Sequence, residues 1–257
     1  MGETEWFSQS PHRVRMDWGW RGCSAAARRG DAVVIVDVLR FSTAVCAAIS
    51  NGVTVFPANE SDNLQGMCSR FDAAHFAAGL APGEYHSAMR GSRVVVRSPN
   101  GATCARLASA APVALIGALV NQNAVARCVR RILVQTKWTV TVIACGERWP
   151  DASDDGALRF AIEDYLGAGA ILWSVAGDQS AEARTCAGAF ASSRADLASL
   201  LANCGSGREQ IDKRDRASVE HAAIIDRYDV VPVLRDGCRL EPLDDISEIT
   251  ARAKFAT

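Results

Sequence analysis

Aromatic residues are scarce in this 257-residue chain: three Tyr, eight Phe and six Trp make up 7% of it. A base-stacking platform needs several such rings on one surface, so the scarcity argues against one. An excess of positive charge is missing too. The 28 Lys and Arg face 29 Asp and Glu, a formal net charge of −1, whereas a protein that tracks a phosphate backbone carries a basic footprint. No nucleic-acid partner is expected. Long apolar runs are also lacking, since the nearly uncharged stretch Ala108 to Ala126 is broken by Ser, Pro, Gly, Asn and Gln. It is no membrane span. The first six residues, Met-Gly-Glu-Thr-Glu-Trp, show early acids rather than a signal-peptide core, and Trp6 stands where myristoylation wants Ser or Thr.

Paired cysteines are absent as well. Cys23, Cys46, Cys68, Cys104, Cys128, Cys145, Cys186, Cys204 and Cys238 include no Cys-x-x-Cys, and the four histidines show no metal pairing at helical spacing. The odd count suits reduced thiols packed as small hydrophobes in a cytoplasmic protein. Neither Gly-x-Gly-x-x-Gly nor Gly-x-x-x-x-Gly-Lys-[Ser/Thr] occurs, so dinucleotide and P-loop sites lack their signatures. What is present is 49% apolar residues with 22% charged ones, enough to bury a sizeable core. The balance suits a metabolic enzyme.

Five apolar, β-branched runs read as strands covered on both faces: Asp31–Val38, Gly52–Pro57, Arg93–Arg97, Val113–Leu119 and Thr139–Cys145. Ala-rich helical patterns at Ser42–Ser50, Thr103–Ala110, Asn123–Val134, Ala157–Val175 and Ser218–Asp226 follow most of them. Strand then helix, repeated, predicts an α/β fold with a largely parallel sheet flanked by helices. The chain reads as one unit, residues 1–257. A candidate subdomain boundary lies near 203–216, where Asn203–Arg216 reads as a long loop. The first 25 residues read as an edge strand or strapping arm.

Ligands of open parallel sheets bind at the carboxyl ends of the strands. Asp37, Arg40, Ser42 and Thr43 follow the first run; the hydroxyls are placed to cap the next helix, and Arg40 to fork onto an anion. Arg97 ends another run, and Asn100-Gly101 is a turn before a helix. Asn121 stands in the same position after Val113–Leu119. Three polar turns opening on helix N-termini suggest one shared pocket for a small, multiply anionic ligand. After Cys145 and Gly146 comes Glu147, an exposed candidate acid or base, then an acid-rich loop with Asp151, Asp154 and Asp155. Asp164 points from the most apolar face of its helix, where a lone carboxylate is costly, and Glu163 lies about a hundred degrees round. Carboxylates converging on Mg²⁺ would explain it, and so would a buried Asp–Arg pair. Asp37 and Arg40 pairing with each other, and ordinary helix caps at Asn100 and Asn121, are the plainer readings of the other turns.

Taken in order, Val-Ile-Val-Asp37-Val-Leu-Arg40-Phe-Ser-Thr43, Ser98-Pro-Asn100-Gly101, Asn121, Ala-Cys-Gly146, Ile-Glu163-Asp164-Tyr-Leu-Gly-Ala-Gly169 and Gly205-Ser-Gly-Arg208 resemble the 2-phosphosulfolactate phosphatase family. The resemblance implies an α/β, Mg²⁺-dependent phosphatase whose motif residues fall on Asp37, Arg40, Asn100, Gly101, Glu163 and Asp164; the chemistry of the residues themselves suggests Asp37, Glu163 and Asp164 for the metal and Asp37, Asp164 and Glu147 for catalysis. Arg40, Ser42, Thr43, Arg97, Asn100, Gly101 and Asn121 would bind substrate. The resemblance also implies conversion of 2-phosphosulfolactate to sulfolactate, a step towards coenzyme M, and a homodimer. Two segments depart from the pattern. Gly-Phe-Asp and Asn-Ser-Pro elements are reduced to Glu84 and Ser87, and Ser218-Val219 replaces an Asp-Val. A silent anion-binding module, and an enzyme with Cys145 as nucleophile, are the readings set beside the phosphatase.

Overall fold

The computed structural model describes residues 6–75, 79–153, 156–175 and 177–249. At its centre lies β2 (Ala32–Val36), with all five residues buried. Its side chains alternate: Ala32, Val34 and Val36 enter one apolar cluster, Val33 and Ile35 another. A strand covered on both faces has no polar side, so its run is continuous. Parallel neighbours flank it, β7 (Val140–Ala144) and β6 (Ala114–Gly117), with β1 (Val14–Trp18) outside β7 at the sheet edge. The N-terminal segment thus supplies an edge strand, and a helix, α1 (Gly19–Arg28), follows it.

Helices cover both faces. Residues of α1, α2 (Phe41–Ser50) and α4 (Gly101–Leu107) share one cluster; those of α5 (Gln122–Gln135), α6 (Ile162–Ser174) and α7 (Ala181–Ser193) share the other. The fold is α/β, a largely parallel sheet between helix layers. Outside this half, β3 (Thr54–Ala58), β5 (Arg93–Arg97) and β4 (Ala74–His75) form a second parallel set, with α3 (Leu64–Phe71) alongside. The hairpin β10 (Pro232–Arg235) and β11 (Arg239–Pro242) joins the two sets. It pairs antiparallel within itself, with β6 and with β3. Successive reversals leave the β3 set running opposite to the β2 set. The turn between β10 and β11 uses Asp236 and Gly237 at φ of 52° and 68°, a conformation that Asp and Gly tolerate best.

All five expected strands are present. Two other expectations change. The stretch 203–216 is helical, spanning the end of α8 (Leu197–Asn203), α9 (Gly205–Asp212) and the start of α10 (Arg216–Ala222). Its glycines permit contact rather than flexibility: a Cβ on Gly207 would lie 1.7 Å from the carbonyl oxygen of Leu201. The helix expected from Ala157 begins only at Ile162, because β8 (Glu147–Ser153) and β9 (Gly156–Arg159) form an antiparallel hairpin where a loop was expected. Asp151 lies on β8, while Asp154 and Asp155 lie outside the described residues. Among the described residues no helix is long and apolar enough to cross a membrane.

Candidate active site

Asp37 follows directly on β2, and its carboxylate lies between the starts of two helices. Oδ1 accepts the N–H of Phe41, first in α2, at 3.1 Å; Oδ2 accepts the N–H of Gly101, first in α4, at 2.8 Å. The Ser98 hydroxyl donates to Oδ2 at 3.3 Å. First-turn N–H groups have no intrahelical acceptor, so a carboxylate there is stabilised by hydrogen bonds and the helix dipole. Only glycine fits at 101, since a Cβ would stand 2.3 Å from Cδ1 of Phe41 and 2.7 Å from Oδ2 of Asp37. The helix after the Asn-Gly turn begins at Gly101, ahead of the Thr103 start expected. Asp37 therefore fills two of the three helix ends that the sequence offers to a ligand anion.

Asp164, in the first turn of α6, makes a matching pair of bonds. Its Oδ1 accepts the Val38 N–H at 2.7 Å and its Oδ2 accepts the Gly146 N–H at 2.9 Å. Backbone, not arginine, holds this buried acid, and it ties the loop after β2 to the end of β7. Beside it Glu163, 2% exposed, accepts from the Cys204 thiol at 3.4 Å. Glu147 opens β8, half-buried, and accepts from Nδ2 of Asn100 at 3.1 Å.

These four acids feel one another. Burial pushes Asp37 up to about 6, with Glu163 adding to the rise and the Phe41, Gly101 and Ser98 donors opposing it. Glu147 is pushed up to about 7, first by burial, then by the charges of Asp37 and Glu163, with Arg159 and Asn100 opposing. Burial and then Asp37 and Glu163 hold Asp164 well above the usual carboxylate range. Crowded acids with raised pKa values are costly as scaffolding and cluster at functional sites. Among the described residues, no three His, Cys, Asp or Glu side chains are placed as a metal cage. The donors are all oxygen, however, and Mg²⁺ is usually held by one or two carboxylates, with waters and phosphate completing its shell. The residues present fit that mode.

The family model for 2-phosphosulpholactate phosphatase matches residues 23–237, a span that includes all four acids. This chain belongs to the 2-phosphosulfolactate phosphatase family. It is 26% identical to a probable 2-phosphosulfolactate phosphatase of Thermosynechococcus vestitus over 250 residues, covering 87% of this chain and 93% of that protein. A protein of the same description from Gloeobacter violaceus is 27% identical, with 79% and 87% covered, and one from Symbiobacterium thermophilum 30% identical, with 58% and 65% covered. Membership makes the chain a phosphatase, a hydrolase of phosphoric monoesters.

The phosphatase does not gather every residue expected at its site. Arg40 pairs with Asp215 rather than with Asp37. Asp215 also caps α10 by accepting the Ser218 N–H at 3.2 Å. Ser42 and Thr43 lie inside α2, fully buried, and make no cap. The Ser42 hydroxyl accepts the Asp37 N–H at 2.9 Å, and that of Thr43 donates to the Val38 carbonyl at 2.8 Å; both fix the backbone around Asp37. Arg97 points away, its Nη2 donating to the Asp62 carbonyl at 2.6 Å. Asn121 is 0% exposed, and its amide is engaged entirely by the backbone of Ala118, Ile116 and Val230. The helix end beside it is filled by Asp226, which accepts from Asn123 N at 2.8 Å and from Gln122 Nε2 at 2.7 Å.

Cys145 is buried, and burial pushes its thiol up to about 12, so it is neutral at ordinary pH and no nucleophile. A groove of about 1160 Å³ runs along α1 between Trp18, Trp20, Arg28 and Leu107, and none of the four acids lines it. Sequence reading missed Ser98 as an Asp37 partner, Asp215 as the Arg40 partner, and Arg159 and Cys204 as neighbours of the acids. The Asp215-x-x-Ser218 cap pattern was the one available signal.

Proposed function

We propose that this phosphatase hydrolyses the phosphate ester of a small, multiply anionic hydroxy acid, 2-phosphosulfolactate, in a Mg²⁺-dependent reaction. The observation that carries the reading is the crowding of Asp37, Glu147, Glu163 and Asp164 at the end of the central strand, with three of them displaced upwards in pKa. Crowded carboxylates repel each other and repel a phosphoester alike, and a divalent cation relieves both. Two carboxylates from the set Asp37, Glu163 and Asp164 would hold Mg²⁺, which when bound would offset charge on the phosphoryl oxygens of an in-line displacement. Glu147 is the accessible acid and changes protonation near neutral pH. In its protonated form it gives a proton to the ester oxygen as a water oxygen bonds to phosphorus and the ester phosphorus–oxygen bond breaks, releasing the alcohol and phosphate. The Asp37 and Asp164 bonds to backbone N–H groups keep two carboxylates in fixed positions, so little reorganisation accompanies the reaction. Names of the relatives support the choice of substrate.

Phosphate release from 2-phosphosulfolactate and a panel of phosphorylated hydroxy acids, with Mg²⁺ and with excess chelator, tests this. The expected result is Mg²⁺-dependent release, fastest with 2-phosphosulfolactate. Undiminished release in chelator would refute the metal; a faster alternative substrate would refute the specificity.

A further inference from the structure

The segment Gly205-Ser206-Gly207 opens α9 beside the acids, yet it makes no contribution to holding Asp37 or Asp164. Cys204 precedes the helix and accepts the Gly207 N–H at 3.3 Å, while its thiol touches Glu163 at 3.4 Å. Arg159, the last residue of β9, stands directly opposite Glu147 across the β8–β9 hairpin. Residues so paired point to one face of a hairpin. The guanidinium reaches the start of α9: a Cβ on Gly205 would lie 3.1 Å from Nη1 of Arg159. Ser206 is 1% exposed, and its hydroxyl has no hydrogen-bond partner among the described residues.

Three other arginines are engaged elsewhere. Arg40 pairs with Asp215, Arg97 donates to the Asp62 carbonyl, and Arg148 stacks on Trp20 at 3.6 Å. Among the described residues no hydrogen bond or ion pair engages the Arg159 side chain; its charge acts on Glu147, and it lies 5.7 Å from the Trp149 ring centroid. A guanidinium fork reaching the start of α9 and a buried hydroxyl without a partner in its first turn together make an oxyanion site. The neighbouring carboxylates of Glu147 and Glu163 oppose an anion there, so the arginine decides whether one binds.

We propose that Arg159, with the start of α9 and the Ser206 hydroxyl, holds a second acid group of the phosphoester, a sulfonate or carboxylate, and so selects substrates that carry one. The proposal rests on the phosphatase reading for the position of the phosphate. Its test compares three esters: 2-phosphosulfolactate, 2-phospholactate, which lacks the sulfonate, and isopropyl phosphate, which lacks both acids. Arg159→Gln should lower kcat/KM for the favoured ester relative to isopropyl phosphate by about 10- to 100-fold, mainly through KM. Arg159→Lys should restore part of that, and Ser206→Ala should produce a smaller loss of the same kind. A selective loss against 2-phospholactate assigns the subsite to the sulfonate, and one against isopropyl phosphate alone assigns it to the carboxylate. Equal losses on all three esters would overturn the proposal. Calorimetry with sulfolactate gives a readout independent of turnover. If wild type releases no phosphate, the phosphatase reading fails, and binding that weakens at least tenfold in Arg159→Gln still upholds the subsite. Equal binding by both proteins would overturn it.

Discussion

Asp226 and Asp37 both place a carboxylate on the start of a helix in the same half of the sheet, but their surroundings differ. Asp226 is half-exposed and takes its bonds from Gln122 and Asn123, neutral groups of the helix it caps. Asp37 is 6% exposed, bridges two helices, and has Glu163 and Glu147 close enough for the charges to act on one another. A capping carboxylate is ordinary structure. Packed among other acids and shut off from water, the same group becomes a charged recess whose protonation moves towards neutrality. The difference lies in the company a carboxylate keeps.

Substitution at the two aspartates should separate these roles most widely. Asp37→Asn is expected to lose at least about 10³-fold in kcat/KM, whereas Asp226→Asn should stay within about twofold of wild type. Phosphate-release kinetics on both variants check the contrast, and comparable losses would break it. Next in size is stability. Asp226→Ala removes three hydrogen bonds and should cost about 1–3 kcal/mol in urea unfolding, with activity kept. Gly101→Ala drives a methyl into Phe41 and Asp37, so it should lower both stability and activity.

The architecture was largely legible because β2, β5, β6 and β7 are continuous apolar runs, a pattern that buried parallel strands require. Asp37, Asn100, Gly101, Glu147, Glu163 and Asp164 were legible because each stands where a strand ends or a helix begins. Asn121 was not, because what competes for that helix end is Asp226, 104 residues beyond Gln122 in the chain. Arg159 escaped notice for a similar reason: its meaning depends on the β8–β9 pairing and on Gly205, neither of which a local pattern shows. The helices at 203–216 were hidden by glycines that read as loop, although Gly207 serves close packing against Leu201.

The smallest expected effect concerns pH. Asp37 and Glu147, raised to about 6 and about 7 in the fold from ordinary values of 3.8 and 4.5, keep protons that the unfolded chain has lost. Their stabilising contribution is therefore complete below about pH 4 and is lost as the pH rises through 6 and 7. In chelator, melting temperature should fall between pH 5 and 8 more in wild type than in Glu147→Gln, by roughly 2–4 °C. Equal slopes in wild type and Glu147→Gln would show that Glu147 titrates as an ordinary surface acid.

Glu147→Gln is the most direct probe, because this acid is held by one Asn100 contact and its amide leaves the Asp37 and Asp164 bonds intact. Phosphate release and thermal melting should be measured on the same sample at pH 7.5 with Mg²⁺. The account predicts a fall in kcat of about 10²- to 10⁴-fold in a protein at least as stable as wild type. Near-normal kcat with the fold intact would contradict it.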